Sequence, residues 1–214
     1  MYNKRTLLID HVKDHATIYI FMAILFLTGI IFGAIIVNSM NFIQKQDLFF
    51  YLERFFGGIT ADEQAANNAI LKDSFFYHVK YLFILFVLGL SVIGLPVVWI
   101  LLFLKGMIVG FSVGFMVNQM NMKGLFLASM SIAPQNIIII PIYITAGSLS
   151  MIFSLTLLAK LFSRRMSQPV LHPLGKYVTA FASLIALSLA AAVMEAYVAN
   201  EAMEMIIKSF YKQQ

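Results

Sequence analysis

A candidate nucleophile lies in the apolar stretch KGMIVGFSVGF at residues 105–115. Gly110, Ser112 and Gly114 match G-x-S-x-G, the pattern that presents the nucleophilic serine of many hydrolases. Gly106 precedes Gly110 by four residues, as Gly110 precedes Gly114, and this spacing places all three glycines on one side of a helix. Small residues at this spacing let transmembrane helices approach closely. The stretch therefore supports two interpretations, an active-site serine or a helix-packing surface.

The composition identifies a membrane protein. Of the 214 residues, 61% are hydrophobic and only 12% are charged, and the mean hydropathy is +0.87. A soluble domain is usually about 45–50% apolar and about 25% charged. The chain has no cysteine, which excludes disulfides and a thiol nucleophile. We expect membrane lipid as a partner, and no nucleic acid, metal ion or cofactor.

Long uncharged runs predict an all-α, polytopic protein with a single integral membrane domain over 1–214. A run of 21 residues extends for about 30 Å as a helix, the thickness of the hydrocarbon core. The runs in this sequence predict five transmembrane helices, at about 17–37, 81–104, 106–122, 137–159 and 177–194.

The region before the predicted fourth span needs a separate explanation. Residues 124–159 contain no charge and would extend for about 54 Å as one helix, too long for an upright span. Pro134, Gln135 and Asn136 interrupt this run. We predict a broken or re-entrant segment here, which is tolerated at membrane depth only where it is buried in protein or lines a cavity.

The distribution of basic residues predicts the orientation. With the N-terminus inside and the C-terminus outside, 1–16, Lys105 and 160–176 face the cytoplasm. Lysine and arginine are then about twofold denser inside than outside, as the positive-inside rule requires. A sixth crossing would move Arg164 and Arg165 outside.

The external segment 38–80 is polar but rich in aromatic residues. Aromatic side chains favour the headgroup layer, so short helices lying on the membrane are one interpretation. A partner-binding surface is the other, and the two are compatible. The candidate partner surface comprises Phe49, Phe50, Phe55 and Phe56.

Serine catalysis finds little support outside the motif itself. A hydrolase serine needs a strand-turn-helix setting, a histidine base and an acid, whereas Ser112 lies within a predicted span. His11, His15, His78 and His172 all lie in expected flanks, and Glu195 lies at the end of the fifth span. We therefore predict that the protein is not an enzyme.

Helix packing is the favoured interpretation of the glycines. Gly29 and Gly33 form a second small-residue pair in the first span, and packing within one chain is favoured over a homo-oligomer interface. At Gln135 and Asn136 two interpretations stay open. One is a structural break whose amides satisfy the freed backbone, and the other is a transport site of the kind built at broken helices.

Several short segments resemble the stage II sporulation protein M family. They are spread in order along the chain: IFGAIIVN at 31–38, VIGLP at 92–96, FLKG at 103–106, VNQM at 117–120, PQN at 134–136 and EAY at 195–197. Broader relatives carry P-H-G-x-x-E at the broken segment, and this chain lacks that histidine and glutamate. We therefore do not expect this chain to share a site that those relatives build at this segment.

The resemblance implies a function that no residue pattern above provides. Members of the family act in engulfment of the forespore, as scaffolds in the cell membrane that localise two peptidoglycan hydrolases. These partners are stage II sporulation proteins D and P. By resemblance, the chain is expected at the sporulation septum, on the mother-cell side. The alternative hypothesis is a small transporter or channel subunit that uses the broken helix at 134–141.

Overall fold

A computed structural model describes residues 12–58, 63–162 and 171–199, with the side chains of 52–58, 63–66, 162, 171–172 and 198–199 outside the description. The described chain is helical and contains no strand, which confirms the predicted all-α class. The helices are α1 (Ala16–Ser39), α2 (Phe42–Gly58), α3 (Glu63–Gly89), α4 (Gly94–Ser131), α5 (Ala133–Phe162) and α6 (Leu171–Val193), which a π-helix (Met194–Ala199) extends.

Four stretches of the described chain are long and apolar enough to cross a membrane: Ala16–Ser39, Gly94–Ser131, Ala133–Leu161 and Pro173–Tyr197. This confirms a polytopic membrane protein. The count of five spans and the orientation with the N-terminus inside stay predictions.

Helix α1 follows directly from its sequence, since it covers an uncharged stretch of 24 residues. It ends where Met40 adopts an extended backbone. The side chain of Gln44 then accepts a hydrogen bond of 3.0 Å from the backbone nitrogen of Asn41. This arrangement matches half of a capping box and begins α2 at Phe42.

The boundary between α3 and α4 differs from the predicted spans 81–104 and 106–122. Helix α3 ends at Gly89 and α4 begins at Gly94, and α4 continues through Lys105 without interruption. Pro96 lies in the first turn of α4, where the missing backbone donor of a proline costs nothing. The turn is secured by the hydroxyl of Ser154, which donates to the backbone oxygens of Gly89 and Ser91 at 2.7 and 3.1 Å.

Helix α4 reverses direction at Asn121, which has φ 51° and ψ −129°. We call residues 94–120 its first limb and residues 122–131 its return limb. Gly124 lies against the backbone oxygen of Met116, and Leu127 and Ala128 pack on the Met116 side chain. Because eight helical residues extend for about 12 Å, these contacts require a sharp turn.

The return limb leads almost directly into α5. The backbone nitrogen of Ile132 donates to Ala128, and that of Asn136 donates to Ile132, so the interruption at this junction is slight. Pro134, Gln135 and Asn136 lie in the first turn of α5, which then runs unbroken through Pro141. The reversal of the chain thus falls at Asn121, earlier than the segment 134–141 predicted to be broken.

Contacts between side chains define the relative directions of the helices. Tyr81 reaches Leu101 across α3 and α4, so these helices are antiparallel, as Lys105 with Tyr77 also requires. Serine contacts from α5 to Leu85 and Gly89 show that α5 runs parallel to α3. Helix α1 runs parallel to the first limb of α4, and α6 runs antiparallel to α3. The fully buried centre of this bundle consists of Met22, Phe26, Leu82, Leu85, Val98, Leu102, Tyr143, Ala146 and Ala191.

Candidate functional site

Two features of α4 could carry function, and the first is its glycine face. A Cβ atom on Gly106 or Gly110 would fall on the backbone oxygen of Phe26 or Ile30 in α1. The α1 glycines are equally crowded: a Cβ on Gly29 would meet the backbone oxygen of Phe103, and one on Gly33 that of Met107. Gly114 lies against Ala34, with 3.2 Å between its built Cβ and the Ala34 Cα. The structure thus brings all five predicted packing glycines into one contact between α1 and α4.

The second feature is a polar cavity between α3, α4, α5 and the π-helix, with a volume of about 440 Å³. Its polar lining comes from all four elements: Asp73, Ser74, Tyr77, His78, Lys105, Ser112, Gln135, Asn136 and Glu195. Apolar side chains such as Ile108, Val109 and Ile139 complete the wall. A small-molecule site has this character, an apolar pocket with a few convergent polar groups.

Glu195 is the more buried of the two acidic residues that line the cavity, the other being Asp73. Its carboxylate accepts a short hydrogen bond from the hydroxyl of Ser74. The amide of Gln135, with its nitrogen turned toward the carboxylate, donates to the two oxygens at 2.6 and 3.2 Å. The Nε2 atom of His78 lies 3.8 Å from Oε2. The π-helix that carries Glu195 is a rare element that often marks functional sites.

His78 lies beside Glu195, although the sequence suggested a position in a flank. It is only 5% exposed, and its Nδ1 atom is 2.6 Å from the hydroxyl of Tyr143. Its Nε2 atom is 3.3 Å from the hydroxyl of Ser74. A hydrogen-bonded chain therefore runs from Gln135 through Glu195, Ser74 and His78 to Tyr143.

Lys105 is the basic group of the cavity. Its Nζ atom donates to the hydroxyl of Tyr77 at 3.0 Å. It also lies 4.3 Å from the ring centroid of Tyr77, 5.7 Å from that of Tyr81 and 5.2 Å from that of Tyr143. Aromatic faces attract a cation at such distances, most strongly where water is excluded. These rings explain why α4 accommodates the charge without a loop.

The cavity extends from Lys105, within the first limb of α4, to Gln135 in the first turn of α5 and Glu195 in the π-helix. Lys105 and Glu195 both belong to stretches that are long and apolar enough to cross a membrane. Asp73, which also lines the cavity, is exposed. Ionisable residues at membrane depth are rare, and they usually mark a functional site.

Ser112 lies in the same cavity as His78 and Glu195. No hydrogen bond joins its hydroxyl to either residue in the part of the chain that the structure describes. Its helix is continuous around it, so the strand-turn-helix setting of a nucleophilic serine is missing. The site has an acid and a histidine, but they contact each other and Ser74 instead of Ser112.

The predicted partner surface falls on α2. Phe50 is 58% exposed and Phe49 is half-buried. Phe55 and Phe56 also belong to α2, but their side chains lie outside the described residues. Among the described residues, helix α2 makes few contacts with the rest of the bundle, which leaves the aromatic side chain of Phe50 available.

Sequence reasoning placed Gln135 and Asn136 at a polar site but did not find the partners of Gln135. Lys105 was treated as a boundary between spans and Glu195 as the start of a polar tail. One signal for Lys105 was available, since a single charge inside an apolar run marks a functional site by default. The spacing of Ser74 and His78, four residues apart, also predicts one helix face.

The fold and cavity define a polytopic helical membrane protein with a polar site between its helices. The model of the family described as stage II sporulation protein M matches residues 22–200. The chain therefore belongs to the stage II sporulation protein M family, a sporulation-related family of membrane proteins. No curated protein and no solved structure matches the chain.

Proposed function

We propose that the protein is a non-catalytic membrane scaffold of the sporulation engulfment machinery, which recruits peptidoglycan hydrolases to the septum. Its proposed partners are stage II sporulation proteins D and P, and its proposed location is the mother-cell side of the septal membrane. Membership of the family supports the sporulation role. The observation that carries the scaffold role is the exposed aromatic surface of α2.

Helix α2 has the character of a docking element. Phe42, Ile43, Phe50 and Tyr51 are between 58% and 79% exposed, and the helix also carries Lys45 and Asp47. Aromatic residues are enriched in the cores of protein interfaces. A helix that packs sparsely on its own bundle can contact a partner without disturbing the spans.

Substitution of the α2 phenylalanines in sporulating cells tests this role. We expect Phe49, Phe50, Phe55 and Phe56, all replaced by serine, to leave fluorescently tagged partners dispersed instead of septal. The matched control is Phe126→Ser, which removes an exposed phenylalanine from the return limb of α4. Septal partners beside an abundant, inserted quadruple variant would exclude α2 as the docking surface.

Site-specific photo-crosslinking tests the contact directly. A photoreactive residue at Tyr51, which is 68% exposed, should capture one or both hydrolases. The control position is Phe83, which is 59% exposed on α3 and expected to face lipid. Equal capture from both positions would show that the contact is not specific to α2.

The polar cavity favours a second candidate function, a small transporter or channel subunit. Transporters place their sites near the bilayer midplane at interrupted helices. In this protein Gln135, at the start of α5, contacts Glu195 of the π-helix. This candidate predicts a measurable solute flux in proteoliposomes that Gln135→Leu and Asn136→Leu both abolish. Unchanged flux in both variants would exclude it.

A further inference from the structure

Besides the exposed Asp73, the cavity is lined by two opposite charges, Lys105 and Glu195, that do not form an ion pair with each other. Among the described residues, no carboxylate lies within 4.0 Å of the Lys105 Nζ atom, and His78 is the only ion-pair partner within that distance of Glu195. Lys105 contacts tyrosine side chains, and Glu195 accepts from a serine and an amide. A separated cation and anion in a weakly polar surrounding each gain free energy from a ligand of opposite charge.

The rest of the lining limits the size and polarity of that ligand. The volume of about 440 Å³ is near the lower end of small-molecule sites, which measure about 300–1,000 Å³. Ile108, Val109 and Ile139 add apolar surface to the same lining. The Asn136 side-chain nitrogen donates to the backbone oxygen of Ile132 at 2.7 Å, and Asn136 also lines the cavity.

We propose that the cavity binds a small zwitterion with an ammonium and a carboxylate group, such as a small apolar α-amino acid. The ligand carboxylate pairs with Lys105, and the ligand ammonium pairs with Glu195. Its side chain packs on the apolar wall. This inference is independent of the proposed scaffold role, and it holds whether or not the ligand is transported.

Titration of the purified full-length protein with alanine tests the proposal. The protein is reconstituted in nanodiscs of phosphatidylglycerol, which contain no amine headgroup, and L- and D-alanine binding is measured by calorimetry. Propionate and ethylamine each supply one of the two charges. We expect at least one alanine enantiomer to bind at least about tenfold more tightly than either half-ligand. No alanine binding, or equal binding of alanine and propionate, would overturn the proposal.

Charge-removing variants assign each half of the ligand. Lys105→Met should abolish alanine and propionate binding but retain ethylamine binding, whereas Glu195→Gln should show the reverse selectivity. The controls are Lys80→Met and Asp47→Asn, which remove exposed charges outside the cavity and should bind alanine as the native protein does. Equal losses for all probes in both cavity variants would contradict the assignment of the two charges.

A third variant tests the proposal even if the two charge-removing variants fail to fold. Ser112→Met fills the cavity without changing a charge, and it should weaken alanine binding at least about tenfold. Undiminished binding in a folded Ser112→Met protein would place the ligand elsewhere. Nanodiscs of phosphatidylethanolamine distinguish a free solute from a lipid headgroup as the ligand. Unchanged affinity for alanine in these discs supports the solute. A tenfold loss of alanine affinity would assign the site to the headgroup and overturn the amino-acid proposal.

Discussion

Two faces of the same helix, α4, perform opposite tasks. Gly106 and Gly110 place the α4 backbone directly against the α1 backbone. Lys105 and Ser112 lie on the other side of α4, where they line a polar cavity. The glycine face packs closely on α1 because glycine has no side chain. The opposite face carries charged and hydroxyl side chains that line the cavity.

The difference between the two faces of α4 follows from the way helices pack in a lipid bilayer. Lipid tails are as apolar as leucine, so helices associate through close packing, and small residues make that packing close. Polar groups are tolerated where protein partners surround them, as tyrosines surround Lys105. The glycine face therefore holds α1 to the bundle, while the opposite face can take a ligand.

The largest effect is expected from a bulky residue in the glycine face. Gly110→Leu should lower the free energy of unfolding by about 3 kcal/mol or more, because its side chain would displace the Ile30 backbone. Unfolding in mixed detergent measures the change. Gly175→Leu is the matched control, since no atom of the described residues lies within 4 Å of a Cβ built on Gly175. Equal losses in the two variants would contradict backbone contact as the cause.

An intermediate effect is expected on the polar face. His78→Leu removes the hydrogen-bond partner of the buried Tyr143 hydroxyl and should cost about 1–3 kcal/mol. Tyr143→Phe in the same chain removes that orphaned hydroxyl, so the double variant should lose less than the sum of the single variants. Double-mutant unfolding measures this coupling, expected at about 1 kcal/mol. Strict additivity would mean that the two residues do not interact.

The two faces also differ in how far the sequence could predict them. The glycine spacing predicted a packing surface, and these glycines lie at the contact between α1 and α4, because such a face depends on local periodicity. The cavity depends on contacts such as Ser74 with Glu195, which are 121 residues apart in the chain. No local pattern encodes such a pair, although the isolated charge of Lys105 in an apolar run was a usable signal.

A broken segment was predicted at 134–141, whereas the chain reverses at Asn121 in α4. The uncharged length required a bend, and Pro134 was the obvious breaker. Proline is well accommodated in the first turn of a helix, so it begins α5 instead. Asn121 turns the chain because asparagine tolerates positive φ better than most residues, a preference too weak to be recognised in advance.

A smaller effect is expected where the glycine face is less crowded. At Gly114 the nearest atom to a built Cβ is the Ala34 Cα at 3.2 Å, whereas at Gly110 it is the Ile30 oxygen in direct overlap. Gly114→Ala should change stability by less than about 1 kcal/mol, since a gain in helix propensity offsets the crowding. Gly110→Ala should cost about 2 kcal/mol. The reverse order in unfolding experiments would show that α1 and α4 pack in a different register.

The smallest effect is expected at Ser112, the serine of the G-x-S-x-G stretch that supported both the hydrolase and the packing interpretations. Ser112→Ala should change the free energy of unfolding by less than about 0.5 kcal/mol, because the hydroxyl faces the cavity and leaves no buried partner unsatisfied. The native protein should also resist labelling by a fluorophosphonate, which reacts with activated serines. Labelling that Ser112→Ala abolishes would restore the hydrolase hypothesis, because it would require His78 or Glu195 to activate this serine across the cavity. Without such labelling, the motif is explained by Gly110 and Gly114, which contact α1, and Ser112 remains part of the opposite face.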